Sequence, residues 1–389
     1  MWSPDWVSTG TTRHWSTWQR NVAGMTDSHS TNNVPTKARR ASVAAAIAAA
    51  GHDHLLVTDL KNVRYLTGFS GSNAALLVPA EPDAEATLVT DGRYDTQVRQ
   101  ETAGDPGIGV RITRDLVGEL LEVAGEDATV AVEPGMTVAQ ARAIGEPPVL
   151  DRAVEDARLV KGADEIAALH AAGELADTVF TEFIEAGGIR EGITEIAAAA
   201  DLEHRLRVAG ADGLSFDTIL ASGVNGAKPH AGVSRDIIVP GLVTLDFGVW
   251  LDGYASDQTR TVCVGEPDAL SVELYDLVHR SFTAGTEAVR PGAGLFAVDK
   301  VCRDIIAEAG YGEYFVHSTG HGVGLDVHEA PYAASRTPED KTLAEGMTLT
   351  VEPGVYLPGR TGLRIENTYV VTEDGAETLN PSSTELRIV

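Results

Sequence analysis

The alanine-rich run 41–50, closed by Gly51, reads as a first helix leading into His54-Leu55-Leu56-Val57-Thr58, a short apolar strand. Further apolar strands are predicted at 74–78 and 86–90, and strands alternating with helices over 37–155 imply an α/β N-terminal domain. The segment 153–166 is charged and has no long apolar stretch, which places a domain boundary there. Over 160–389 the order of elements repeats loosely. Helices predicted near 164–186 and 194–209 precede strands near 237–249 and 254–264; helices near 269–289 and 296–309 precede strands near 347–352 and 363–371. An α+β domain duplicated in this way leaves a cleft between its halves, where polar groups from both sheets converge. Residues 1–36 show no usable hydrophobic period and are predicted to be a disordered N-terminal extension. Their tryptophans, Trp2, Trp6, Trp15 and Trp18, fit neither helix nor strand spacing, which disfavours a docking arm, and Met25 offers a second start.

Composition narrows the class. The chain has 389 residues, 43% of them apolar, with 57 acidic against 30 basic side chains and a formal charge of −27. That is enough apolar material for buried cores, and the acidic excess argues against binding to nucleic acid or to an anionic membrane surface. Only two cysteines occur, Cys263 and Cys302, in a predicted strand and a predicted helix, which excludes a disulfide scaffold and disfavours a cysteine-based metal site. No apolar run of 18 residues exists, so no membrane span is predicted and the cytoplasm is the expected compartment. Arg39-Arg40 before the alanine run has the outline of a twin-arginine export signal, but the run continues into a strand, and a helix is the better reading.

The candidate chemistry lies in the second domain. Asp246 falls inside the apolar strand Val243-Thr244-Leu245-Asp246-Phe247, and Asp257 follows after Trp250-Leu251-Asp252-Gly253. A hairpin turning on Leu251-Asp252 sets the two aspartates directly opposite each other; a turn on Asp252-Gly253, the favoured type I′ pair, makes them diagonal neighbours on one face. A three-residue loop would separate them onto opposite faces. Paired interior carboxylates require either a proton or a multivalent cation between them. A second constellation, His317-Ser318-Thr319-Gly320-His321-Gly322-Val323-Gly324-Leu325-Asp326-Val327-His328, interleaves three histidines with glycines, suiting a loop whose backbone approaches a ligand closely. Glu352 and Glu366 end or interrupt apolar strands, and a salt bridge to Arg364 is the ordinary explanation for Glu366 taken alone. Together, two aspartates, two glutamates and a histidine form an oxygen-rich set sized for two divalent ions. No G-x-S-x-G, H-E-x-x-H or phosphate-loop pattern is present.

These segments resemble the dinuclear metallopeptidases of the pita-bread fold, and within them the aminopeptidase P and prolidase branch. The resemblance is carried by Ser256-Asp257-Gln258-Thr259-Arg260-Thr261, by Ser318-Thr319-Gly320-His321-Gly322-Val323-Gly324, by Val351-Glu352-Pro353-Gly354-Val355-Tyr356 and by Leu363-Arg364-Ile365-Glu366-Asn367. In the first domain it is carried by Asn62-Val63-Arg64-Tyr65-Leu66-Thr67-Gly68-Phe69 and Thr90-Asp91-Gly92-Arg93-Tyr94. It implies an α/β N-terminal domain at 37–155 and an α+β pita-bread (creatinase/aminopeptidase) catalytic domain with an internal pseudo-twofold repeat at 160–389. It further implies hydrolysis of Xaa-Pro bonds, in dipeptides or at the N-terminus of peptides, by a hydroxide bridging two divalent metals, manganese first, with cobalt, zinc or iron as alternatives. Asp257 and Glu366 are expected to bridge the metals, Asp246 to chelate one, and His321 with Glu352 to complete the other. His230 and His328 are expected to contact substrate or the reacting carbonyl, Glu352 to shuttle the proton, His317 to line a proline pocket with Tyr356, and Arg364 to buttress Glu366. A homodimer is implied as well. The competing expectations are a methionine aminopeptidase, which lacks a comparable first domain, and a catalytically silent peptide-binding protein on the same fold, which requires a missing ligand.

Overall fold

A computed structural model describes residues 35–389, so the extension predicted for 1–36 and its tryptophans lie outside the described residues apart from its last two positions. The chain divides into two compact units between Asp151 and Arg152.

The first unit begins with the helix Thr36–Ala49, ended by Gly51 at φ 78°. Arg40 of that helix is buried, with one nitrogen 2.8 Å from Asp105 and another donating to the Leu66 carbonyl, while the guanidinium of Arg39 lies 4.5 Å from the Tyr65 ring centroid. The arginine pair is therefore internal structure. A five-stranded sheet runs in the order Ile108–Ile112, Ala86–Thr90, Ala74–Pro79, His54–Val57, Val130–Val132. Its two outer pairings are parallel and its two central ones antiparallel, so the α/β unit is mixed. Glu133, after the last strand, is buried and accepts from the backbone N–H groups of Thr58 and Asp59 and from the Asn62 side chain, tying the Asn-Val-Arg-Tyr motif to the sheet.

The second unit has the predicted repeat. Helices Ala163–Glu185 and Glu195–Val208 precede the strands Gly241–Phe247 and Gln258–Val264; helices Ala269–Ala288 and Leu295–Glu308 precede Thr348–Val351, Thr361–Arg364 and Asn367–Val371. Each half has its own core. Phe180, Phe183, Leu202 and Leu206 pack with Val243, Leu245 and Phe247 in the first, and Leu274, Phe282, Val298 and Ile306 pack with Leu349, Val351 and Leu363 in the second. The alternation along Gly241–Phe247 then decides which side chains meet the other half: the odd positions fill the first core, whereas Leu242 belongs to the second core and Thr244 and Asp246 share its face.

The charged segment 153–166 is more than a boundary. Arg158 and Lys161 are each 4% exposed inside the second unit, where Arg158 pairs with Asp326 (2.7 Å) and Glu329, and Lys161 with Glu329 (2.6 Å). Two cations of a segment with few apolar residues are buried here because carboxylates from outside it neutralise them.

Candidate metal centre

Asp246 and Asp257 are brought together by the hairpin register. Asp252 and Gly253 both have positive φ (47° and 76°), as a type I′ turn requires, and Tyr254 pairs with Leu251. Continuing that register places Thr259 opposite Asp246, so Asp257 is its diagonal neighbour on the same face. Local turn chemistry thus selects the second of the predicted arrangements. Glu352 directly follows the strand Thr348–Val351, and Glu366 sits in the break between Thr361–Arg364 and Asn367–Val371.

His321 lies in a short strand, Gly320–Gly322, rather than in a ligand-embracing loop. Its neighbouring glycines answer to backbone. A Cβ on Gly320 would come within 1.8 Å of the Thr350 carbonyl oxygen, and one on Gly322 within 2.4 Å of the Ala330 carbonyl oxygen. The His321 Nδ1–H donates to the Gly322 carbonyl at 3.0 Å, which leaves Nε2 with its lone pair facing Glu352 Oε1 at 3.3 Å and Asp257 Oδ2 at 3.6 Å. Burial, then the neighbouring His328, lowers the His321 pKa to about 4, so the ring is neutral near pH 7.

Three groups of donor atoms form, each within 4.8 Å: Asp246, Asp257 and Glu366; His321, Glu352 and Glu366; and Asp257, His321 and His328. Four buried or half-buried carboxylates face the guanidinium of Arg364, and a second buried guanidinium, that of Arg260, lies beside Glu366 and donates to its backbone carbonyl at 2.6 Å. Burial first, and then mutual repulsion, raises Asp257 and Glu352 well above the usual carboxylate range and brings Glu366 to about 7. Among the described residues, Asp246 Oδ1 has no hydrogen-bond partner, although it is buried. A neutral imidazole lone pair, an orphaned carboxylate oxygen and clustered like charges are the donor set of a divalent cation site, and these residues fit one.

Arg364 departs from its expected contact. It ion-pairs with Asp246 and reaches Glu366 only through Thr259: its Nε donates to Thr259 Oγ1 (3.0 Å), which donates to Glu366 Oε2 (2.7 Å). Sequence reading passed over Thr259; its position directly across the ladder from Asp246 was the available signal. Arg364 Nη1 also donates to the Tyr356 hydroxyl (2.6 Å), and that hydroxyl donates to His317 Nε2 (3.0 Å), whose Nδ1–H is taken by the Ser318 carbonyl (2.8 Å). His317 is thereby held as one neutral tautomer, its pKa lowered by burial, and then by Arg364, to about 3. Tyr356, expected beside the substrate, is buried behind this ring.

The centre opens into a cavity of about 860 Å³ lined by Asp246, Asp257, His321, Glu352 and Glu366, together with His230, His317, His328 and Arg364. The predicted metal ligands, the three predicted histidines outside that set and Arg364 therefore border one space, and Tyr356 does not. His230 and His328 are exposed in it, and the His328 ring centroid is 4.3 Å from that of His321.

Residues 167–373 match Metallopeptidase family M24, and residues 39–168 match the Creatinase/Prolidase N-terminal domain. The chain belongs to metallopeptidase family M24. A Xaa-Pro dipeptidase of Pyrococcus furiosus is 34% identical over 341 residues, 86% of this chain and 95% of that protein. Among solved structures, a Xaa-Pro dipeptidase from Bacillus anthracis superposes with a TM-score of 0.84 at 36% identity, covering 91% of this chain and all of that one. An X-Pro aminopeptidase from Thermotoga maritima superposes with a TM-score of 0.77 at 34% identity, covering 88% and 97%. The fold is that of the family: a creatinase-type N-terminal domain followed by a pita-bread catalytic domain.

Proposed function

We propose that this chain is a metal-dependent Xaa-Pro peptidase, hydrolysing the bond between a first residue and proline. The observation that carries the reading is the four-carboxylate, one-histidine set at the wall of a cavity large enough for a short peptide. Asp246, Asp257 and Glu366 would hold one divalent cation and His321, Glu352 and Glu366 a second, with manganese the first candidate. Glu366 belongs to both of these donor groups, which supports a bridging role for it; Asp257, proposed as the second bridge, recurs with His321 in the third group. Bound there, the cations supply Lewis acidity and a water whose pKa falls towards neutrality.

The other roles belong to the chain itself. His230 or His328, exposed in the cavity, donates an N–H to the carbonyl oxygen as negative charge develops there. Glu352 takes a proton from the attacking water and passes it to the proline nitrogen, which has no hydrogen of its own. His317, with both ring nitrogens engaged, acts by shape, closing the proline side of the cavity. Arg364 holds Asp246 directly and Glu366 through Thr259. In this reading the enzyme works in the cytoplasm as a homodimer, the latter tested by sedimentation.

Hydrolysis of Ala-Pro and of a longer Xaa-Pro-Xaa-Xaa peptide by manganese-loaded protein, with Asp257→Ala as control, tests the proposal. Cleavage of the dipeptide alone makes it a dipeptidase, and cleavage of the longer peptide an aminopeptidase. Failure with both substrates by a chain carrying two metals overturns the Xaa-Pro reading.

A further inference from the structure

The cavity extends beyond the acidic centre along an apolar wall formed by Leu214, Phe216, Ile219 and Val233. Three polar groups that bond cleavage does not use share this space. Glu203 and Asp217 both line it, and among the described residues no side chain hydrogen-bonds to or pairs with either carboxylate. Local cations exist but are engaged elsewhere. Arg207, one helical turn beyond Glu203, donates to the backbone carbonyls of Ala211 and Asp212, and Arg205 is 3.1 Å from Asp201. The third group is Thr218, 5% exposed, whose buried hydroxyl has no hydrogen-bond partner among the described residues while the residue lines the same cavity. A buried hydroxyl left unsatisfied is unfavourable, and a ligand N–H would satisfy it.

We propose that this side of the cavity selects substrates whose first residue is basic, lysine or arginine. The aliphatic stem lies on the apolar wall, the cationic head reaches Glu203 and Asp217, and Thr218 accepts an N–H from the ligand. Long cationic side chains suit such a surface because they bury methylenes while keeping the charge at a wet rim. The selectivity is modest, since both carboxylates are partly exposed: two such pairs together give about a tenfold preference. An acidic first residue meets like charge and is disfavoured by a similar factor. The inference rests on the Xaa-Pro reading and names the substrate class within it.

The test is kcat/KM for Lys-Pro, Arg-Pro, Leu-Pro and Glu-Pro, measured with metal-loaded wild-type protein, a Glu203→Gln/Asp217→Asn double variant and Thr218→Val. The expected order is basic over Leu-Pro over Glu-Pro, with a Lys-Pro to Leu-Pro ratio of about ten at low salt that narrows as salt is added. In the double variant the ratio falls to about one, and in Thr218→Val it falls by about threefold. A wild-type ratio near one overturns the inference, as does a ratio that survives in the double variant. If the two carboxylates hold the substrate's α-amine instead, the double variant slows every dipeptide alike and leaves the ratio intact, which also overturns it. If neither the four dipeptides nor the corresponding Xaa-Pro-Xaa-Xaa peptides are hydrolysed, the Xaa-Pro reading itself fails, and this inference with it; if only the longer peptides are cut, the same ratios are read on them.

Discussion

Two buried charge clusters lie in the catalytic unit, and they differ in balance. Around Glu329, two cations (Arg158 and Lys161) meet two carboxylates (Glu329 and Asp326), with contacts of 2.6–2.7 Å for Lys161–Glu329 and Arg158–Asp326. At the candidate centre, Asp246, Asp257, Glu352 and Glu366 outnumber the cations Arg364 and Arg260 beside them, an oxygen of Asp246 has no hydrogen-bond partner among the described residues, and burial with repulsion pushes Glu366 up to about 7. Burial of charge is common to both. Excess of one sign marks the site, because only there is something outside the chain required to complete the electrostatics.

The largest effect that sharpens this contrast is catalytic. Asp257→Ala should lower kcat/KM by about a thousandfold or more, because a cation ligand supplies several kcal/mol of transition-state stabilisation. The same variant without metal should melt no lower than wild type, because it removes one of several like charges. A marked drop in its melting temperature would assign Asp257 to the structural class. Glu329→Ala should do the reverse: it strips the buried Lys161 of its carboxylate, leaves Arg158 with Asp326 alone of the pair, and should cost about 3–5 kcal/mol in denaturant unfolding. Unfolding energetics equal to wild type would break the comparison from the other side.

Smaller effects probe the links between groups. Thr259→Val keeps the shape but removes the hydroxyl between Arg364 and Glu366, and divalent affinity by calorimetry should fall about tenfold, with Thr259→Ser restoring most of it. Unchanged affinity in the valine variant would show that the bridge is incidental.

The smallest effect concerns pH. Glu366 has a folded pKa of about 7 against 4.5 for the ordinary side chain, so the folded chain binds its proton more tightly; this contribution is complete below 4.5 and is lost as pH rises through 7. His321 and His317, at about 4 and 3 when folded, have the opposite sign and lose stability as pH falls below 6.5. Above pH 6.5 only the carboxylates remain in play. Chelator-treated protein should therefore lose thermal stability between pH 6.5 and 8, and saturating divalent cation should remove most of that loss. A flat profile with chelator would mean that the cluster carries no excess charge.

Much of this was legible along the chain. A carboxylate inside Val243-Thr244-Leu245-Asp246-Phe247 stands out because its neighbours are buried, and the Asp252-Gly253 turn settles the hairpin register from local geometry alone. The helices and strands of both halves fall within a few residues of where periodicity and caps place them. Other features depend on partners that lie far away along the chain. The glycines around His321 suggest, along the sequence, close approach of a ligand, whereas in the fold they admit the Thr350 and Ala330 carbonyls of neighbouring segments. The charges of 153–166 stand beside the division at Asp151/Arg152, and their additional role inside the second unit rests on partners about 170 positions away at Asp326 and Glu329.

The sequence by itself determined which side chains carry the chemistry and on which strand faces they stand, because residue type, strand period and turn preference act over a few residues. Tertiary structure decided who pairs with whom. Arg364 turns to Asp246, 118 positions earlier, and touches Glu366 only through Thr259, itself 105 positions from Arg364. Such pairings are set by how two independently cored halves face each other, and no local pattern records the sign or distance of a charge that arrives from the other half.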